Sequence, residues 1–172
     1  SGPYSSRDDV ISAEIDAAKW SPIFNRFKKT FRIGISTIGR AKIIPKPSPS
    51  PSEPIYFGIY RDLRPVEIAT NPAFSLHVAR NNVDELVLSY VASHPTKISY
   101  QEFAPGDTVQ FVVATPESVR AAVQNAKRIQ GYAAGVVFFR WPGVDEILTM
   151  RPDDVLTAAG QVAQRQAAAA AV

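Results

Sequence analysis

The stretch that decides the fold is residues 131–142, GYAAGVVFFRWP, the most apolar run of the 172-residue chain. It follows a segment with helical periodicity and ends at Pro142, which has no N–H to donate within a central strand. We therefore predict that it is a buried strand on which the rest of the chain packs. A helix that leads into a continuously apolar strand is typical of an α/β layer around a buried sheet.

The segment before this strand carries both a start and a stop signal for a helix. Thr115 is a capping residue, Pro116 suits the first turn, and Glu117 interacts favourably with the helix dipole. Gly131 provides the stop. Apolar residues recur between them at helical spacing: Val119, Ala122, Val123, Ala126 and Ile129.

The N-terminal part predicts a helix and then a strand. The helix runs from Asp8 to Lys29, and Pro22 should break or restart it, with Ser21 as the cap of a second turn. In the strand, from Thr30 to Ile38, apolar residues alternate with small or polar ones. Near the C-terminus, residues 152–154, Pro-Asp-Asp, predict the start of another helix.

The central part of the chain has a hydrophobic period of two. Short strands are predicted at 56–60, 74–78, 85–91, 98–101 and 109–113, and the Pro-Gly-Asp at 105–107 predicts a turn. Such spacing indicates an antiparallel meander or a small sandwich, with Phe74, Leu76 and Val78 on the buried face of a half-buried strand. Residues 85–91 are also compatible with a helix, although their β-branched and aromatic members favour a strand.

These elements predict an α+β (or α/β) fold in which helices pack on a mixed sheet with a β-rich antiparallel central portion. We divide the chain into five segments: a helix plus first core strand (1–44), a Pro/Ser-rich loop (45–54), the β-rich portion (55–114), a helix–strand–helix (115–166) and a frayed tail (167–172).

Composition excludes several functional classes. The chain has no cysteine, so disulfides, cysteine nucleophiles and thiolate metal sites are excluded. No run of about 18 apolar residues is present, so no membrane span is predicted. The net charge is +3, and the basic residues from Lys28 to Lys46 form the densest basic zone. This zone lacks a recognisable nucleic-acid module, so we predict a solvated face, with nucleic-acid binding through the zone as a third and weaker alternative.

Two stretches, 31–36 (FRIGIS) and 135–142 (GVVFFRWP), with 105–129 before the second, resemble segments of a family of exported bacterial proteins with a TIM-barrel-like domain. In that family such segments look like the last barrel strands. The resemblance implies a periplasmic or extracellular location. Because a full barrel needs about 250 residues, it also implies a C-terminal piece whose remaining strands lie in the parent protein or on another chain.

The two strands suggest a ligand site. Arg140 and Trp141 lie near the carboxyl end of the apolar strand, where α/β sheets and barrels bind ligands. A guanidinium there is suited to a carboxylate, a phosphate or sugar hydroxyls, and an indole ring to stacking on a sugar. Ser36 and Arg32 share one face of the earlier strand. The competing interpretation is structural: an ion pair for Arg140 and ordinary packing for Trp141.

No catalytic motif is present in the sequence. Ser36 lacks a G-x-S-x-G context, and His77 and His94 stand apart from each other. Neither histidine has the neighbours that a metal site needs, so we predict no metal and no cofactor. Glycoside hydrolysis needs paired carboxylates, and the adjacent Asp145 and Glu146 are poorly placed to face one substrate from opposite sides.

Two functional hypotheses follow. The first is a non-enzymatic binding or structural segment of an exported bacterial protein that contacts carbohydrate or cell-envelope material. The second is a fragment of a glycoside-hydrolase-like barrel enzyme whose carboxylates come partly from missing sequence. Within the chain, Glu102 ends another predicted strand.

Overall fold

A computed structural model describes residues 17–46, 55–57, 63–139, 141 and 146–160. Contacts divide the chain into two compact units. Unit 1 contains the described residues up to Ile38, residues 82–84, and those from Ala114 onward. Unit 2 contains residues 39–81 and 85–113. The five segments predicted above remain a prediction, and the frayed tail and most of the Pro/Ser-rich loop lie outside the described residues.

The helices and strands confirm the α+β class, with both parallel and antiparallel strand pairs. In chain order they are α1 (Ala17–Asn25), β1 (Phe31–Ser36), β2 (Arg40–Ile44), β3 (Ile55–Phe57), α2 (Pro65–Thr70), β4 (Phe74–Arg80), β5 (Leu86–Ala92), β6 (Thr96–Ile98), β7 (Gln101–Phe103), β8 (Thr108–Val113), α3 (Pro116–Lys127), β9 (Ala133–Phe139) and α4 (Pro152–Ala158).

Helix α1 continues through Pro22, so the predicted break at this residue is wrong. The carbonyl of Pro22 still accepts a hydrogen bond from the backbone N–H of Arg26. Aromatic packing supports the helix on both sides of the proline. The ring of Phe24 stacks on Trp20 with centroids 5.4 Å apart, and it lies 4.9 Å from Phe31 at the start of β1. The earlier part of the predicted helix lies outside the described residues.

Unit 1 is built around β1 and β9, which pair in parallel. Helix α3 packs against both strands. The core combines Ile33 and Ile35 of β1 with the buried face of α3 and with Met150 and Val155 near and in α4. The barrel implied by the family resemblance is not formed by the part of the chain that the structure describes, because β1 and β9 pair only with each other there.

The prediction that the apolar run is buried on both faces is wrong. Val136 and Phe138 are half-buried against the core, whereas Ala134 and Gly135 are exposed and Val137 is 45% exposed. The cause is the number of layers. Within the described residues one helix layer covers one face of a two-stranded pair, so alternate side chains of β9 meet no second layer.

Unit 2 is a five-stranded antiparallel sheet in the order β3-β2-β8-β5-β4, accompanied by α2 and the β6–β7 hairpin. The predicted strands at 74–78, 85–91 and 109–113 are confirmed as β4, β5 and β8. The predicted 98–101 strand is instead a hairpin whose exposed turn contains Tyr100. Strand β2 and the six-residue α2 were not predicted. The strand predicted at 56–60 is described only at residues 55–57, as β3.

Candidate ligand-binding site

Local sequence places α3 on the strands of unit 1. The Thr115 hydroxyl accepts a hydrogen bond from the N–H of Ser118 (3.2 Å), and the Ser118 hydroxyl accepts one from the N–H of Thr115 (2.9 Å). This reciprocal pair is a capping box, which satisfies N–H groups at the helix start. The Thr115 hydroxyl also donates to the carbonyl of Asp84 (2.6 Å). The predicted cap is therefore confirmed and has an additional tertiary bond.

The entry to β9 is held by one side chain of α1. The Asn25 amide donates to the carbonyl of Gln130 (2.8 Å) and accepts from the N–H of Tyr132 (2.9 Å). Gly131 lies between these partners with a φ of +88°, and a Cβ there would lie 2.3 Å from the Asn25 amide oxygen. Only glycine adopts this positive φ and leaves room for the Asn25 amide without strain. The predicted helix stop at Gly131 is wrong, since α3 ends at Lys127 with Arg128 as its C-cap. Gly131 instead helps to set where β9 begins.

The register of β1 and β9 assigns the two faces of the pair. Ile33 lies opposite Val136 and Ile35 opposite Phe138 on the face that α3 covers. The other face carries Arg32, Gly34 and Ser36 of β1, and Val137 lies opposite Gly34. We call this second surface the open face: Arg32, Gly34, Ser36, Gly135 and Val137.

Two of the five residues of the open face, Gly34 and Gly135, contribute no side chain. A Cβ added at either position would meet none of the described residues within 4 Å. Gly135 has a φ of +128° and lies at the irregularity where two residues of β9, Ala134 and Gly135, stand against Arg32 alone. This is a β-bulge, and it explains why a glycine interrupts the apolar run. The exposed backbone is thus accessible to a ligand.

The structure brings some of the predicted site residues to one end of the pair. Ser36 is half-buried and lies opposite Phe139, at the carboxyl end of both strands. Trp141 follows β9 by two residues and is 49% exposed. Arg32 is exposed but lies four residues before Ser36, about 13 Å along the strand. Arg140 lies outside the described residues. The site assignment therefore stays a prediction.

The described residues at this end do not form a catalytic arrangement. Past β1, Thr37 is fully buried and Ile38 forms an antiparallel bridge with Thr149. Glu146 is half-buried and Asp145 lies outside the described residues. Glu102 belongs to unit 2, where its carboxylate lies 3.6 Å from the Lys97 ammonium. No group of three or more potential metal-binding side chains occurs in the described ranges.

One buried carboxylate of unit 2 was not predicted from the sequence. Glu85 is 4% exposed and its Oε2 accepts hydrogen bonds from the Arg40 guanidinium and the Asn81 amide, each at 2.9 Å. The side-chain oxygen of Asn81 accepts from the N–H of Glu85 (2.8 Å). The cluster joins the turn between β4 and β5 to β2. A charged residue beside an apolar run is too common a pattern to have predicted it.

The structure divides the predicted basic zone between the two units. Lys28, Lys29 and Arg32 belong to unit 1, whereas Arg40, Lys42 and Lys46 belong to unit 2. The guanidinium of Arg40 is engaged with Glu85. The backbone N–H of Lys46 donates a hydrogen bond to the Asp107 carboxylate (2.8 Å), which also accepts one from the N–H of Ala104. Among the helices that the structure describes, none is both long and apolar enough to cross a membrane.

Comparisons with known proteins add little. No protein-family model matches the chain, and no curated protein matches it. One similar solved structure is described as "Crystal structure of C-terminal domain of putative chitinase from Desulfitobacterium hafniense DCB-2". It shares 13% identity and a TM-score of 0.35, over 77% of this chain and 34% of that one. The present chain thus spans about a third of that structure, and similarity at this level supports no argument about function.

Proposed function

We propose that this chain is a non-enzymatic binding segment of an exported bacterial protein and that the open face, with Trp141, contacts cell-envelope polysaccharide. The single observation that carries the proposal is the uncovered backbone at Gly34 and Gly135, where an added Cβ would meet none of the described residues within 4 Å. An exposed strand pair with two glycines and only Val137 between its polar ends is a shallow surface. Such a surface suits an extended polymer better than a small molecule, which is usually enclosed in a concave site.

The side chains around this backbone have the chemistry that a polysaccharide needs. The indole of Trp141 is half exposed and offers both a flat apolar surface and an N–H donor. Arg32 is exposed and carries five N–H donors for hydroxyl or carboxylate oxygens. Ser36 adds a hydroxyl at the same end as Trp141, and Arg140 would add a second guanidinium. An acidic polymer such as peptidoglycan would satisfy the arginines best.

The alternative, a glycoside-hydrolase-like fragment, needs two carboxylates about 5–10 Å apart. The described residues at the carboxyl ends of β1 and β9 do not supply such a pair, and no observation favours this alternative over binding. We further propose that the binding segment is exported and that the rest of the parent protein lies outside this chain.

Co-sedimentation with insoluble polymers tests the proposal. We expect the wild-type chain to pellet with peptidoglycan more strongly than with chitin or cellulose. Trp141→Ala should weaken the apparent affinity about 2- to 12-fold, because a stacked aromatic ring contributes about 0.5–1.5 kcal/mol. Arg32→Ala should have a similar effect on peptidoglycan and a smaller one on the neutral polymers, because only peptidoglycan carries carboxylates.

Tyr100→Ala is the matched control, since Tyr100 is an aromatic residue 67% exposed in unit 2. Its removal should leave pelleting unchanged. The proposal is wrong if the wild-type chain stays in the supernatant with all three polymers, or if Tyr100→Ala weakens binding as much as Trp141→Ala does.

A further inference from the structure

The end of unit 1 at which β1 and β9 begin also receives the C-terminal ends of α1 and α3. Ile129, just after α3, packs in one cluster with Ile33. Val119, near the start of α3, packs with Ile35, which lies farther along β1. Helix α3 therefore runs antiparallel to β1 and ends where the strands begin. The Asn25 side chain, at the end of α1, is hydrogen-bonded to the entry of β9 at the same place.

This end of the unit carries exposed cations that form no ion pair with any described residue. We call the set the basic end: Arg26, Lys28, Lys29, Lys127 and Arg128. The sequence contains no aspartate or glutamate from 17 to 46 or from 118 to 139. The carboxylate nearest to the basic end along α3 is that of Glu117, ten residues before Lys127 and about 15 Å away along the helix axis.

Exposed apolar side chains lie next to these cations. Phe27 is 69% exposed, and Ile23, four residues earlier, is 43% exposed. Phe27 belongs to a turn, because the N–H of Lys28 donates to the carbonyl of Asn25 (3.1 Å) and Lys28 has a φ of +48°. Tyr132, before β9, is also 43% exposed. Helix dipoles explain cations at helix C-termini, but they do not explain an exposed aromatic ring among those cations.

We propose that the basic end binds the surface of an anionic phospholipid bilayer, with the ring of Phe27 inserted at the boundary between headgroups and acyl chains. The negative surface potential of such a bilayer attracts clustered lysines and arginines. Insertion of an apolar side chain adds burial, and reversible attachment to membranes commonly combines these two contributions. Charge complementarity identifies this occupant, because the basic end has five positive charges and no carboxylate in the described segments around it.

Two other polymers are distinguished from the bilayer by geometry. Single-stranded nucleic acid binds in a groove where successive bases stack on aromatic rings. Here the two most prominent apolar side chains are Phe27 on a turn and Ile23 on a helix, which suits insertion into lipid better. The polysaccharide proposed for the open face includes Trp141, which follows the opposite end of β9, about 20 Å along the strand. The two proposals can therefore fail separately.

Co-sedimentation with lipid vesicles tests the proposal. We expect the wild-type chain to bind equimolar phosphatidylglycerol–phosphatidylcholine vesicles at least about 10-fold more tightly than pure phosphatidylcholine vesicles, and salt should weaken this binding. Arg26→Gln combined with Lys29→Gln should weaken it about 25-fold, because each cation near an anionic surface contributes about 5-fold. Phe27→Ala should weaken it about 10-fold, and this loss should persist at high salt because it is apolar.

Matched variants control for net charge and for exposed aromatic surface. Arg120→Gln combined with Arg151→Gln removes the same charge from two exposed arginines of unit 1 outside the basic end, and should weaken binding less than about 3-fold. Tyr100→Ala removes an aromatic side chain that is 67% exposed in unit 2, and should have no effect. Circular dichroism checks that every variant is folded.

A dye attached to a single cysteine reports insertion directly, because the native chain has no cysteine. With a nitrobenzoxadiazole label, Phe27→Cys should show a blue shift and stronger emission on adding the anionic vesicles. The control is Ile147→Cys, since Ile147 is 45% exposed and lies near Thr149, which bridges to Ile38 beyond the other end of β1. Its emission should not change.

Three results would overturn the proposal. The first is equal binding to anionic and neutral vesicles. The second is a Phe27→Ala variant that binds as tightly as the wild-type chain, together with an unshifted label at residue 27. The third is tighter binding to an oligothymidylate than to the anionic vesicles at the same salt concentration, which would assign the basic end to nucleic acid instead.

Discussion

Strands β8 and β4 share a sequence pattern but differ completely in burial. In β8, Val109 is 0% and Phe111 1% exposed; in β4, Leu76 is 48% and Val78 60% exposed. The register places all four on one face of one sheet. β8 lies between β2 and β5, whereas β4 ends the sheet. Alternation thus determines which face a side chain occupies, and position in the sheet determines whether anything covers it.

Packing above the sheet reaches one end of β4 only. The ring of Phe74 contacts Phe103 of the β6–β7 hairpin at a centroid distance of 5.4 Å, and Phe74 is half-buried. The residues beyond it in β4 are exposed. The edge strand is therefore held by its hydrogen bonds to β5 and by its end connections more than by apolar burial.

The largest expected effect breaks one of those end connections. Glu85→Ala should lower the free energy of unfolding by about 3 kcal/mol, because it leaves the Arg40 guanidinium without its carboxylate and the Asn81 amide without its acceptor. The value is at the low end of the range for buried pairs because the Arg40 side chain is 30% exposed. Urea denaturation followed by circular dichroism measures it.

Glu85→Gln is the control for this substitution, since it keeps an oxygen acceptor and loses only the charge. We expect a loss of about half that size. Equal, small losses for the two variants would show that the cluster does not hold the β4–β5 turn.

The second prediction compares the same substitution, valine to alanine, in β8 and in β4. Val109→Ala should cost about 2–3 kcal/mol, because it removes fully buried methyl groups and leaves a cavity. Val78→Ala should change the stability by less than about 0.5 kcal/mol, because a 60% exposed side chain loses little burial. Urea denaturation followed by circular dichroism measures both losses. Similar losses at the two positions would contradict the difference in burial.

The smallest of the three expected effects concerns β9, a strand whose burial is intermediate between that of β8 and that of β4. Phe138→Ala in β9 should cost about 2 kcal/mol, less than the about 3–5 kcal/mol of a fully buried phenylalanine, because one layer covers it only in part. Both tryptophans, Trp20 and Trp141, lie in unit 1, so tryptophan fluorescence during urea denaturation reports on this unit. A loss above about 4 kcal/mol would show that β9 is fully enclosed after all.

Elements with local signals were predictable from the sequence. Helix α3 has a capping threonine and a proline at the first turn, both of which act over a few residues. Strand β8 alternates from Thr108 to Phe111 after a Pro-Gly turn. By contrast α2 has six residues, too few for a hydrophobic period, and its N-cap, Arg64, makes no side-chain cap bond. Its fold depends on contacts that sequence spacing does not reveal.

The candidate site was predicted only in part, for the same reason. Alternation correctly placed Arg32, Gly34 and Ser36 together on one face of β1. The bulge at Gly135 and the open backbone beside it depend on how β9 pairs with β1, and the apolar run alone indicated burial on both faces.

By itself, the sequence determined the α+β class, the strand faces and the capped helix, because these depend on neighbours within a few residues. Only the tertiary structure decided that β9 has an open face, that β4 is an edge, and that Glu85 is buried beside Arg40. Those features depend on which strands become neighbours and how many layers cover them. Contacts between residues far apart in the chain set both, and local periodicity carries no record of them.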